Sequence, residues 1–193
     1  MDLRSVSAQA LIVVDVQADA VVGGRAVPGA GWLVERTGEL IGRARRSGAL
    51  VVHVQNDGSP GAGDEPHTPG WELHHPVGAG PLEAVVRKTS ADAFDGTSLG
   101  ELLAGSGVRA LAVCGVMSEI CVQATARTAL ALGYRVVLPY DAHTTHDIPA
   151  APGISEVVPA AAVSRVAAWA LGTAEITTAA AGVVFTAPPS RGR

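Results

Sequence analysis

Ala10-Leu11-Ile12-Val13-Val14-Asp15-Val16-Gln17 sets five apolar residues, three of them β-branched, directly before a carboxylate. An apolar run of this length without polar alternation suits a strand covered on both faces, as in parallel α/β sheets. It reads as the first strand. Leu50 to Val54, Ala84 to Arg87, Arg109 to Gly115 and Arg135 to Leu138 read as further strands, and a final one is expected at Glu175 to Thr178. Amphipathic stretches separate them, at Trp32 to Arg46, Ser98 to Ala104, Glu119 to Leu132 and Ala160 to Leu171. Strand and helix in alternation mark βαβ units and an α/β fold. The Gly- and Pro-rich segment Asn56 to Pro81 is too long for an ordinary connector and is expected to shape or cover a site.

The chain has 193 residues, 48% apolar and 17% charged, with net charge -4. This suits one domain, over residues 1–186, followed by a flexible tail at 187–193. No basic run is present, which argues against a nucleic-acid or anionic-membrane partner, because counterion-driven binding needs clustered Lys and Arg. The apolar runs fall far short of the roughly 18 residues of a membrane span, and the N-terminus carries no signal-peptide pattern, so a cytoplasmic protein is expected. Two cysteines, Cys114 and Cys121, are too few for a disulfide scaffold. Of the 14 basic residues only Lys88 is a lysine, which singles it out in a chain that otherwise uses Arg.

Ligands of open parallel sheets bind beyond the carboxyl ends of the strands. Asp15 closes an apolar strand, Lys88 follows Ala84 to Arg87, and Cys121 lies just after the strand ending at Gly115. Three chemically different groups therefore reach one edge. With Ser118 as N-cap, Cys121 would be the third residue of a helix, where the helix dipole and a neighbouring ammonium should lower its pKa. A nucleophile, a base and a cation together suit acyl transfer. Taken singly, each has an ordinary structural role: turn former, solvated charge, small buried residue. A redox-active thiol protein and a non-catalytic small-molecule-binding domain are the rivals. Cys114, inside Leu111-Ala-Val-Cys-Gly115, belongs to the core.

Leu11-Ile-Val-Val-Asp15-Val-Gln17, Arg87-Lys88 with Ala93-Phe94-Asp-Gly-Thr97, and Cys114-Gly-Val-Met-Ser-Glu-Ile-Cys121-Val resemble, in order, the isochorismatase-like cysteine hydrolases. That family includes nicotinamidases, carbamoyl and ureido amidases, and hydrolases that open lactam rings in amine-rich antibiotics such as streptothricin. The resemblance implies a Rossmann-like three-layer α-β-α sandwich around a six-stranded, mostly parallel sheet, and a catalytic triad of Asp15, Lys88 and Cys121. It also implies a cis peptide between Val116 and Met117, with the backbone N–H groups of Met117 and Cys121 as oxyanion hole. It points to a cofactor-free amidohydrolase working through a thioester on a small-molecule amide, and to a homo-oligomer, dimer or tetramer. The nucleophilic Cys121 separates the chain from vinyl-ether-cleaving isochorismatases. Gln55-Asn56-Asp57-Gly58 stands where nicotinamidases carry a metal-binding Asp-x-His, so no metal is expected.

Gln17, Asp19, Trp71, Phe94 and Glu119 are the expected substrate contacts. The family often has an aromatic residue three positions after Gln17, where Ala20 stands here; its loss should widen the pocket and leave Asp19 at the mouth. With Asp57, Asp64, Glu65 and Glu119 nearby, an acidic entrance would steer in a cationic substrate. His74, His75, His143, His146 and Tyr140 stay open as further contacts.

Overall fold

The computed structural model describes residues 6–172 and 178–189. In chain order the elements are β1 (Val6–Ala8), β2 (Ala10–Val14), α1 (Ala18–Val21), α2 (Ala30–Arg46), β3 (Leu50–Asn56), β4 (Glu83–Lys88), α3 (Leu99–Gly105), β5 (Ala110–Gly115), a π-helical turn (Ser118–Val122), α4 (Gln123–Ala131), β6 (Arg135–Val137), α5 (Ala160–Trp169) and β7 (Val183–Phe185). Five strands form one sheet in the order β4-β3-β2-β5-β6, every pair parallel. β2 is central, and the chain moves outward from it first through β3 and β4, then through β5 and β6. The switch in direction therefore falls between β2 and β5, where a crevice opens at the strands' carboxyl ends.

Side-chain alternation along β2 divides the core into two layers. Ala10, Ile12 and Val14 pack with Leu50, Val52, Leu111, Val113 and Ala126 on one face. Leu11 and Val13 pack with Leu33, Leu40, Ile41 and Ala44 on the other. Both faces are buried, which is why the strands read as continuous apolar runs. Within α2, Leu33, Thr37, Leu40, Ile41 and Ala44 form the inward stripe at helical spacing, and Arg43, Arg45 and Arg46 complement the dipole at its end.

The sheet differs from the expected one in three ways. Among the described residues it has five strands, not six, and Ala10–Val14 is the second strand of the chain. Ahead of it, β1 pairs with β7 in a separate two-stranded parallel sheet. The chain changes partner at Gln9, whose side-chain oxygen takes up the N–H groups of Arg109 and Ala110. The strand expected at Glu175 to Thr178 falls mostly on residues 173–177, outside the described residues, as do the last four positions of the tail. No helix of the described residues is long and apolar enough to cross a membrane.

The segment after β3 has no regular structure up to β4, as its Gly and Pro content implies. It lies against residues 16–19 in an antiparallel bridge of Gln17 with Leu73, supported by Ala18 N–H to Glu72, Asp19 N–H to Gly70 and His74 N–H to Val16. Its outer wall is pinned by Asp57, which accepts from Trp71 Nε1 at 2.9 Å and from Arg87 Nε at 3.0 Å, with the Arg87 guanidinium 5.0 Å over the Trp71 ring.

Candidate active site

Asp15 leaves β2 with φ 51°, in the left-handed region that non-glycine residues rarely adopt. Its neighbours over-determine this conformation: Asp15 N–H bonds to Val54, and Val116 N–H bonds back to Val14. Gly115 has φ 119°, and a Cβ there would collide with the Val14 carbonyl, so only glycine lets the end of β5 pass this close to β2. The following Val116–Met117 peptide is cis, as the sequence resemblance implies.

Lys88, fully buried in its side chain, is the hub. Its Nζ lies 2.9 Å from Asp15 Oδ2 and donates to Cys121 Sγ at 3.3 Å and to Asn56 Oδ1 at 3.0 Å. An ammonium has three donors, and all three are used. Asn56 is itself fixed from both sides: its N–H donates to Gln17 Oε1 at 2.8 Å, and Gln17 Nε2 donates to the carbonyls of Asn56 at 3.0 Å and Trp71 at 2.9 Å. Asp15 Oδ1 is buried with no hydrogen-bond partner among the described residues.

Burial pushes the Asp15 carboxyl above its ordinary range, while Lys88 pulls it back. Burial and the Asp15 charge push the Cys121 thiol up to about 12 against the opposing pull of Lys88. Here the sequence expectation of a depressed thiol fails. A first-turn helix position alone would favour the thiolate, but Cys121 is half-buried beside a carboxylate, and those two effects outweigh the ammonium. The local geometry also differs from the expected one. Ser118 is no N-cap: it opens the π-helical turn after Met117, and the Met117 carbonyl accepts from both Ile120 and Val122 N–H groups. The buried Ser118 hydroxyl instead bonds to His143 Nδ1 at 2.8 Å and Ser164 Oγ at 2.9 Å, tying the cysteine's turn to the segment after β6 and to α5. Burial drives His143 down to about 4, which keeps it neutral.

Asp15, Gln17, Asp19, Asn56, Asp64, Met117 and Cys121 line a cleft of about 290 Å³. Among the described residues nothing accepts a hydrogen bond from the Met117 N–H. Of the expected substrate contacts, Gln17 and Asp19 are on this wall, Asp19 paired with Arg25 at 2.5 Å. Trp71, Phe94 and Glu119 are not. Trp71 is spent on Asp57, Arg87 and the two glutamines; Phe94 packs on the core 6.3 Å from the Tyr134 ring; Glu119 accepts from Thr145 Oγ1 at 2.9 Å. His75 bonds Thr37 in α2, His146 is exposed, and His143 and Tyr140 border a separate, mostly apolar recess of about 630 Å³. Cys114 is fully buried, its thiol pushed up by burial.

Asn56 is a site residue that the strand-end reading of the sequence does not name, although the same rule reaches it: it ends β3, and parallel register sets it beside Lys88. Of the acidic residues expected around the entrance besides Asp19, Asp64 lines the cleft, brought there by the path of the long loop, whereas Asp57, Glu65 and Glu119 do not.

The isochorismatase domain family matches residues 9–171. A streptothricin hydrolase of Streptomyces noursei is 65% identical over 182 residues, covering 94% of this chain and 66% of that protein. A second streptothricin hydrolase of the same organism is 64% identical over 182 residues, covering 94% of this chain and 72% of that one. The chain thus spans about two thirds of the first relative's length. Among solved structures, an isochorismatase from Pseudomonas putida KT2440 superposes with a TM-score of 0.81 at 30% identity, covering 91% of this chain and 90% of that chain. By its sequence match, its parallel sheet and its structural neighbours, the chain belongs to the isochorismatase family.

Proposed function

We propose that the protein is a cysteine-dependent amidohydrolase that opens an amide, of the lactam type found in streptothricin, in a small amine-bearing substrate. The observation that carries this reading is the Lys88 ammonium set between Asp15 Oδ2 and Cys121 Sγ at the wall of an open cleft. Asp15, raised by burial, takes the proton of Cys121 as the thiolate attacks the carbonyl carbon. The oxyanion is met by the N–H groups of Met117 and Cys121. Asp15 returns the proton to the departing amine, leaving a thioester on Cys121. Asp15 then deprotonates a water as it attacks the thioester carbonyl, passing that proton to the Cys121 sulfur when the C–S bond breaks, and Lys88 holds carboxylate and sulfur in place through both halves.

The high thiol pKa fits this order of events. A resting thiolate beside the Asp15 carboxylate would set two anions against one ammonium in a buried site, so the proton leaves sulfur as the new bond forms. Incubation with streptothricin, followed by mass spectrometry of the product, tests the reading. Addition of one water to the substrate is expected, with a trapped acyl adduct on Cys121 after acid quench and no turnover by Cys121→Ala. Turnover that survives in Cys121→Ala would reject the mechanism, and no hydrolysis of the lactam would reject the substrate class.

A further inference from the structure

We propose that Asp64 is the specificity residue of the cleft: its carboxylate receives a cationic group of the substrate, while the Asn56 amide that it anchors holds Lys88 in position. The proposal rests on the reading of the cleft as an amidohydrolase site.

Three carboxylates line the cleft, and their partners differ. Asp15 faces the Lys88 ammonium at 2.9 Å, and Asp19 faces the Arg25 guanidinium at 2.5 Å. Asp64 has no ion-pair partner among the described residues. It accepts only an amide donor, Asn56 Nδ2, at 2.6 Å. A half-buried carboxylate on the wall of a small cavity, without a counter-charge, is left for a cation that arrives with the ligand. Asp15, paired with Lys88, is reserved as the base for the Cys121 proton, so of the three carboxylates Asp64 is the one left to meet a cation.

The loop is built to expose these groups. A Cβ on Gly58 would collide with Asp64 Oδ1, and a Cβ on Gly63 with the paired Arg25 and Asp19 side chains. Gly58 N–H also bonds to the Asp64 carbonyl, which closes the turn that carries the side chain inward. These two glycines thus clear room for the Asp64 carboxylate and for the Asp19–Arg25 pair at the cleft.

Asn56 links recognition to chemistry. Its Nδ2 donates to Asp64 while its Oδ1 accepts from Lys88 Nζ, so a single planar amide spans the charge-reading carboxylate and the catalytic ammonium. Asp64 also acts through space: its charge adds to burial in raising the Asp15 carboxyl.

Asp64→Asn removes the charge and keeps an oxygen for Asn56. Its kcat/KM on streptothricin should fall at least tenfold, mainly through KM, with the salt dependence of KM lost, while streptothricin with its amines acetylated is handled as by the wild type. The acid limb of the kcat/KM profile should move to lower pH, which a merely structural loss would not produce. An equal loss on both substrates, or a wild type indifferent to acetylation, would overturn the proposal. Calorimetric titration of Cys121→Ala with streptothricin separates it from the reading on which it rests, since binding needs no turnover. Tenfold weaker binding in Cys121→Ala/Asp64→Asn supports the proposal; unchanged affinity, or no binding to Cys121→Ala, overturns it.

Discussion

Lys88 shows most directly why residue type matters at this site. Its Nζ meets an oxygen of Asp15, the sulfur of Cys121 and an oxygen of Asn56 at 2.9, 3.3 and 3.0 Å, and none of its side chain is exposed. A compact ammonium converges on three acceptors around one nitrogen; a planar guanidinium spreads its donors over a wider fork and needs more room. Lys88→Arg is therefore expected to retain the far-ultraviolet circular dichroism of the fold and lose at least about 100-fold in kcat/KM, on the order of 3 kcal/mol of transition-state stabilisation. Activity within a few-fold of wild type would show that only the positive charge is needed. The compositional skew of the chain, one Lys among 14 basic residues, already isolates this position. What composition leaves open is the third partner: Asn56 becomes visible only when the crevice rule is applied to every strand end, including the one after Leu50 to Val54.

At the scale of elements, the turn that carries Cys121 is held from behind. Ser118 N–H bonds to the Thr144 carbonyl at 3.1 Å, and its hydroxyl joins the buried His143 and the half-buried Ser164 in a chain of hydrogen bonds. Reading Ser118 as an N-cap rests on local propensity, since serine before a helical pattern usually caps it. The tertiary partners override that preference by offering the Ser118 hydroxyl two side-chain bonds. Ser118→Ala leaves the buried His143 Nδ1 and the half-buried Ser164 hydroxyl without this partner, at a cost of about 2 kcal/mol, and should lower the melting temperature by about 4–8 °C. Differential scanning calorimetry measures this, and a shift below 1 °C would mean that the network carries no net stability. Activity should fall as well, because the cysteine's turn loses its tie to α5.

For the whole molecule, burial of neutral histidine links stability to acidity. His143 is held at about 4, against about 6.5 in an unfolded chain. Between these values the unfolded state binds a proton that the folded state refuses, so stability falls as pH drops from about 6.5 towards 4, by up to about 3 kcal/mol. Glu83 works in a lower window. Although burial raises it, hydrogen bonds from Arg45 bring it to about 2, so its contribution is lost only as pH falls below about 4.5. Urea denaturation at pH 7, 6, 5 and 4.6 should show a declining midpoint in the wild type and a shallower decline in His143→Asn, which does not titrate. Identical slopes would remove His143 as the cause.

The amino-acid sequence by itself determined the α/β class, the positions of β2 to β6 and the meeting of Asp15, Lys88 and Cys121 at one edge of the sheet, because these follow from apolar runs of strand length and from the polar residues at or just beyond their carboxyl ends. Only the tertiary structure decided that, among the described residues, five strands form the sheet beside a separate β1–β7 pair, that Asp64, of the acidic residues expected around the entrance, lines the cleft while Trp71, Phe94 and Glu119 do not, and that the Cys121 thiol is raised instead of lowered. The physical reason is range. Periodicity and strand ends are local properties of the chain, whereas loop path, burial and the balance of one ammonium against two acids depend on residues brought together from far apart.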